Sequence, residues 1–443
     1  MVILFSQALP LNAQVPYTFE STTLQYETPI GGTNGIIRVW MDDLAVICNR
    51  DTNGRFFFSV CHVNDAIDSG SAIANTVLLM SNAIVNDFVI LNDTVYFCGT
   101  FHDINGFLGW FCIRDLLYSS SVLMNGYRFY NNEATHLNKI GAYKSNSGSI
   151  KVATIGNASS YNTHFADRVF ELDVSNFNTL SSDWCLLASS GLSYVTYDDI
   201  IITDDYVIIA GRYDDSVSHQ GGICLRKYRK GLFNSTDITY NYLFSYGKSA
   251  LYELSATNIK DNRIAIAGAY RINDWKVYVS SFNIVSMDMV YNQIVEVEDK
   301  SENLCITYVN DAGRLVLSLI HAYQTPWNII GELLLLNPWS AASLSAEVMY
   351  DWNFREVRSM DVLMDRHLYC LDQNHIMVKD GYQMPLPFQP ICYASAKWPI
   401  APASIRPTKT NRDILIINRI TRNTIAIPIS AVATKVTSNC IHE

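Results

Sequence analysis

The sequence predicts an all-β domain assembled from copies of one four-stranded unit. Three observations carry this: a composition rich in β-formers, a near absence of helical periodicity, and a segment that returns about every 50 residues. The 443 residues are 49% hydrophobic and 17% charged, enough for a sizeable core and too apolar for disorder. Tyrosine (26), phenylalanine (19) and tryptophan (8) are plentiful. Apolar residues at i, i+3 and i+4 are scarce, and only Ser340 to Val348 has the makings of a turn or two of helix.

The returning segment is a polar turn residue, alternating large apolar residues, then a small residue and often glycine. It stands as Asp93-Thr94-Val95-Tyr96-Phe97-Cys98-Gly99, as Asp205 to Gly211, and as Asn262 to Gly268. Weaker copies start at Asp43, Ile150, Gly313, Asp365 and Arg412, so successive copies lie 50, 57, 55, 57, 51, 52 and 47 residues apart. Four strands fit within one period; in the second copy they are Ala83–Leu91, Thr94–Phe101, Phe107–Asp115 and Ser121–Phe129. Asn92-Asp93 and Asp103-Ile104-Asn105-Gly106 separate them, and Asp51-Thr52-Asn53-Gly54 holds the matching place in the first copy. Asn and Gly tolerate the left-handed backbone that tight hairpins require.

Second and third strands such as Val95–Cys98, Val207–Ala210, Gly109–Ile113 and Ile329–Leu336 are almost continuously apolar, so both of their faces should be covered. Fourth strands alternate, as in Asp237 to Ser245, and should be partly wet. In period and strand pattern the chain after Gln14 resembles the β-propeller class, in which blades stack radially about an axis. The Gly-His and Trp-Asp marks of WD40 repeats and the double glycines of kelch repeats are absent. The resemblance implies one domain, residues 15–443, of about eight four-stranded blades, with seven as the alternative. The eighth copy offers strands near Ser404–Lys409, Asp413–Asn418 and Thr424–Ile429 but no fourth, and Tyr17 to Tyr26 is the expected N-terminal strand that closes the ring.

Met1 to Gln14 has a short apolar core followed by Leu11-Asn12-Ala13-Gln14, the pattern of a signal-peptide remnant cut after Ala13, though without a basic start. With it, the chain looks like the uncharacterised secreted propellers of Gram-negative bacteria, and the expected location is the periplasm or cell surface. The net charge of −10 disfavours a nucleic-acid surface, and no apolar run is long enough for a transmembrane helix.

Cys48 and Cys98 fall five residues after their turn residues, and Cys61 and Cys112 follow 13 and 14 residues later. One reading makes Cys48–Cys61 and Cys98–Cys112 intrablade disulfides; the other makes the column a place for small buried residues, since Ala210 and Ala267 also fill it. The second is favoured, because Cys224 lies 14 residues after Ala210 and has no partner cysteine.

No catalytic, nucleotide-binding or zinc motif is present, and no cofactor or metal is expected. The candidate chemistry is positional. Second-to-third-strand loops should share one rim, which gathers His102, His164, His219, His321 and His375 beside Asp214, Asp274 and Arg271. Asp87 and Asp199 share a first-strand column near the channel mouth. Paired carboxylates (Asp87 with Asp199, or Asp214 with Asp274) and the histidines His102 and His321 are the groups for acid–base work. Trp275, Trp327, Tyr213 and Tyr323, with Arg271, are the aromatic and cationic groups for stacking on a sugar. The expected function is a non-enzymatic binding or scaffold protein for a glycan or protein ligand at that rim. The alternative is a glycan-active hydrolase or lyase.

Overall fold

The computed structural model describes most of the chain between residues 20 and 439. Outside it lie 1–19, 27–34, 63–70, 175–181, 187–193, 233–239, 297–303, 350–358, 381–399 and 413–420, with shorter loops that include 51–53, 102–105, 216–219, 272–274 and 323–328. Among the described residues seven antiparallel units follow one another. Their first strands are Ile36–Trp40, Ala83–Leu91, Ala134–Lys144, Tyr194–Ile202, Ala250–Ile259, Cys305–Val309 and Ser359–Leu363.

Unit two shows the plan. Ala83–Leu91 turns back through Asn92 and Asp93, both at positive φ (49° and 58°), into Thr94–Phe101, then Gly106–Cys112 and Asn125–Tyr130. Asp261 and Asn262 make the same left-handed turn in unit five. Each first strand packs against the first strand of the next unit, from unit one through unit seven, and that of unit seven packs against that of unit one. Units set face to face, with their first strands innermost, make a β-propeller.

The core accordingly lies in layers between units. Val95, Phe97 and Phe101 enter the layer shared with unit one, where Phe58 meets Phe88, Phe97 and Phe111 at ring separations of 5.4, 5.1 and 5.1 Å. Tyr96 and Cys98, on the other face of the same strand, enter the layer shared with unit three. Unit four repeats the division, with Val207 and Ile209 on one side and Ile208 and Ala210 on the other. The continuous apolar runs therefore have the cause assigned to them: both faces are covered.

The small residue and glycine of the repeat also have a cause. First strands carry β-bulges between Val85 and Asp87, Leu137 and Lys139, and Tyr197 and Asp199, opposite Gly99, Gly156 and Gly211. A Cβ on these glycines would stand 1.9, 2.0 and 2.2 Å from the carbonyl oxygens of Ile84, His136 and Thr196. The bulge pushes the first-strand backbone onto the second strand, and only glycine leaves room.

One expectation needs correction, and the choice between the two cysteine readings is decided. Ser343–Met349 is the fourth strand of unit six, because pairing with Ile329–Leu336 overrides its helical composition. The helix is instead α1, Ile113–Tyr118, which presents Ile113, Leu116 and Leu117 at i, i+3 and i+4 to the layer between units one and two. The cysteine pairs do not face each other: Cys48 is opposite Phe58 and Cys61 opposite Ala45, while Cys98 is opposite Leu108 and Cys112 opposite Thr94. Offsets of three and four residues put the partners about 10–13 Å apart along the strands, too far for a bridge. Cys48, Cys98 and Cys112 are free thiols, and Cys48 and Cys98 share complete burial with Ala210 and Ala267.

The termini hold strand pairings that the repeat does not predict. The strands expected near Ser404–Lys409 and Asp413–Asn418 lie almost wholly outside the described residues, and the described strands from Ile400 onward join other units. Ile400–Pro402 pairs with the fourth strand of unit five, Lys409–Arg412 with that of unit four, Thr421–Ala426 with that of unit two, and Ser430–Asn439 with that of unit one, all antiparallel. The segment thus runs back past the units in reverse order, as a fifth strand on their outer edges. Fourth strands offer rows of unpaired N–H and C=O groups, which this segment satisfies. Glu20–Tyr26 pairs with His375–Asp380 as the outer strand of unit seven, and Ser430–Asn439 also pairs with it.

Gly99→Ala and Gly211→Ala are each expected to lower unfolding free energy by about 1–3 kcal/mol in chemical denaturation. Gly35→Ala, whose Cβ would meet side-chain atoms of Leu371 and Asn49 and no backbone, should cost less.

Candidate functional site

Two places gather chemistry-bearing side chains: the first-strand column around the axis, and a groove on one face of units four to six. The bulges set the first of these. Opposite Cys98, Ile155, Ala210, Ala267 and Ser318 of the second strands stand Asp87, Lys139, Asp199, Ser255 and Cys305, in units two to six. Arg38 of unit one, opposite Val46, and Asp361 of unit seven, opposite Tyr369, lie close to this column. Charge alternates from Arg38 through Asp87 and Lys139 to Asp199, and Arg38 pairs with Asp87 at 2.9 Å.

These side chains reach across to the neighbouring unit. An Asp87 oxygen accepts the Ile140 N–H at 3.3 Å, Asp199 accepts that of Ala256 at 2.9 Å, and Asp361 accepts that of Val39 at 2.7 Å. The second oxygen of Asp199 and of Asp361 accepts the N–H of its own following residue. Ser255, Ser359 and Glu253 take the N–H groups of Ile306, Ile37 and Leu304 in the same way. Asn86, the bulge residue of unit two, donates to the Leu137 carbonyl at 2.7 Å.

The electrostatics follow from burial and alternation. Burial disfavours the Arg38 charge, but Asp87 and Asp361 outweigh it and raise its pKa. Asp87 is the main cause that raises Lys139. Burial raises Asp199 against the opposing pull of Lys139, and raises Asp361 against that of Arg38. Burial also pushes the Cys305 thiol up to about 11. The bulge residue Asp198 accepts from Arg212 Nε and Nη2, at 2.7 and 2.8 Å, yet burial still pushes its carboxyl up to about 6.

Of the residues singled out from sequence, Asp87 and Asp199 do converge on the axis. Asp214 lies at the end of a second strand, opposite Tyr194 and Gly221; Arg271 lies opposite Ala250 and Trp275, and His321 opposite Ile330. Asp274, His102, Trp327 and Tyr323 lie outside the described residues. Tyr213 is in the core layer between units three and four, and Trp275 is half-buried against the layer between units five and six. Both rings fill the widening gap between neighbouring sheets, and they do not form a shared stacking platform.

The groove lies on the opposite face from the expected rim, where first-to-second and third-to-fourth turns emerge. Its volume is about 580 Å³. The turn of unit four supplies Thr203, Asp204, Asp205 and Tyr206, and that of unit five supplies Asn258 to Asn262; Ile284 and Tyr308 complete the lining. The turns are well pinned. Thr203 and Tyr206 exchange three hydrogen bonds of 3.0 Å, and the Ile284 N–H donates to the Asn262 carbonyl at 2.8 Å. The buried Lys227 ammonium sits over the Tyr206 ring and donates to the carbonyls of Ile284 and Val285. Sequence reading passed over the groove because Asp204-Asp205 and Asp261-Asn262 have a sufficient explanation as hairpin turns.

No family model matches the chain, and no curated protein matches it. Among solved structures, the Dos1 propeller is similar over 82% of this chain and 96% of its own length, at 9% identity and a TM-score of 0.43. A protein of unknown function from Dyadobacter fermentans DSM 18053 is similar over 69% of this chain and 98% of its own, at 9% identity and a TM-score of 0.36. Likenesses this distant carry no functional argument.

Asp198 makes a pH prediction. Its pKa is about 6 folded against an ordinary 3.8, so the folded chain binds this proton more tightly and the stabilisation is present near pH 4. It is lost as pH rises through about 6. The unfolding free energy of the wild type minus that of Asp198→Asn should therefore fall between pH 4 and 7, by on the order of 3 kcal/mol. A rise would mean that the Arg212 pairing outweighs burial.

Proposed function

We propose that the chain is a non-enzymatic binding or scaffold protein: an exported, seven-bladed propeller that holds a protein partner against the turn-bearing face of units four to six. Seven first strands packed in succession, with unit seven against unit one, support that blade number. Pairing of Glu20–Tyr26 with unit seven supports closure by the N-terminal strand. Export rests on the apolar segment Met1 to Gln14.

One observation carries the binding reading. The exposed large apolar side chains among the described residues are Met41, Leu232, Val285, Val290 and Trp339, and all five lie in or beside turns of the same face. Four of them belong to units four, five and six, which also bound the groove. Val285 is 59% exposed on a turn fixed by Asn283, whose side-chain oxygen accepts the Val285 and Ser286 N–H groups. Apolar groups held out on rigid turns beside a groove favour a docking surface. The carboxylates Asp87, Asp199 and Asp361, by contrast, are engaged in bonds between blades. That supports a structural part for them over acid–base chemistry.

The test is site-specific photo-crosslinking in the native cell from position 285 and, as a control, from position 186 on the outer strand of unit three. A partner captured only from position 285 is then purified and titrated against the wild type and against Val285→Asp/Trp339→Ala. The proposal expects at least tenfold weaker binding by the double variant, with an unchanged melting temperature. Turnover of a polysaccharide by the purified chain, or partner binding that ignores both substitutions, would overturn it.

A further inference from the structure

We infer that the groove between units four and six takes a cationic polypeptide segment in which Lys or Arg flanks one bulky apolar residue. This deepens the binding reading above and rests on it. The groove has a polar, acidic mouth and an apolar floor. Asp204, Asp205 and Asp261 contribute three carboxylates to the lining, and Lys260 contributes its single cation. All four lie exposed on turns.

Three cations stand near the groove outside its lining and have contacts of their own. Lys227 is buried and donates to the Ile284 and Val285 carbonyls. The Arg263 guanidinium lies over the Trp339 ring at 4.7 Å. Lys230 lies over the Tyr143 ring at 5.3 Å, where burial lowers its pKa while Asp204 and Asp205 oppose that shift. The lining itself carries three carboxylates against one ammonium, an excess of negative charge that favours Lys and Arg and repels acidic segments.

Below the mouth the chemistry changes. Ile259 and Ile284 are buried in the floor, and Tyr206 and Tyr308 stand half-buried at its sides. A volume of about 580 Å³ accommodates one bulky side chain with its flanking backbone. Leu232, Val285 and Trp339 outside the groove extend the apolar contact to a longer segment. Because both hairpin turns are pinned by backbone and Thr203 hydrogen bonds, the carboxylates are presented with little ordering left to do on binding.

The probe is a fluorescein-labelled twelve-residue peptide of alternating Lys and Ser with one central Trp, followed by anisotropy on the full chain. Companion peptides replace Lys by Glu, or Trp by Ser. Expected are saturable binding of the Lys/Trp peptide alone, a dissociation constant that rises with salt, and about tenfold weaker binding to D204N/D205N/D261N. Asn accepts the left-handed backbone of position 261, so this variant should keep its fold, which an unchanged melting temperature verifies. Lys260→Glu should tighten binding. Equal binding of the Glu peptide, indifference to the triple variant, or displacement by a neutral polysaccharide would overturn the inference. If the crosslinked partner binds but ignores the triple variant and salt, the docking face stands and the cationic segment falls.

Discussion

The structure depends on what happens to the inner edge of each first strand. One edge pairs with the second strand of its own unit; the other presents its N–H groups to the preceding unit. Here side-chain oxygens meet several of them: Asp87 on Ile140, Asp199 on Ala256, Ser255 on Ile306, Asp361 on Val39. Each bond joins units more than 50 residues apart in sequence, and Asp361 joins the last unit to the first. A hydrogen bond to a charged acceptor contributes about 1.5–3 kcal/mol, and an unmet buried donor costs a similar amount. Alternating charge from Arg38 to Asp199 sets cations beside carboxylates in a confined space: Arg38 pairs with Asp87, and Lys139 pulls against the rise that burial imposes on Asp199. The bulges that aim these side chains are possible because Gly99, Gly156 and Gly211 make room for them.

The outer edges meet the same requirement by other means. Segments between Ile400 and Asn439 add a fifth strand to units five, four, two and one, and the final one also pairs with Glu20–Tyr26. The chain therefore travels round the units once to build them and returns along their outside. Inner edges are joined by side chains, outer edges by backbone.

The fold class, the period and the burial of second and third strands were legible because two-sided burial leaves continuous apolar runs, as in Val95 to Cys98. The role of glycine in the repeat was not, since it answers a carbonyl oxygen on another strand. The pairing partners of the C-terminal strands were not legible for a related reason: strands that lengthen existing sheets and strands that build a new one share the same alternating composition. The register of Cys98 and Cys112 also depends on hairpin geometry, which spacing alone does not supply. Asp87 and Asp199 were picked out correctly as a column, but their use depends on N–H groups of the following unit. The groove escaped notice because Asp204, Asp205 and Asp261 sit where any hairpin would place a polar turn residue.

The most direct measurement is amide hydrogen exchange at Val39, Ile140 and Ala256, compared between the wild type and Asp361→Ala. The account predicts protection of all three amides in the wild type, with Val39 exchanging at least tenfold faster in the variant while Ile140 and Ala256 keep their protection. An unprotected Val39 in the wild type, or one that the substitution leaves unchanged, would contradict a junction between the last and first units held by Asp361.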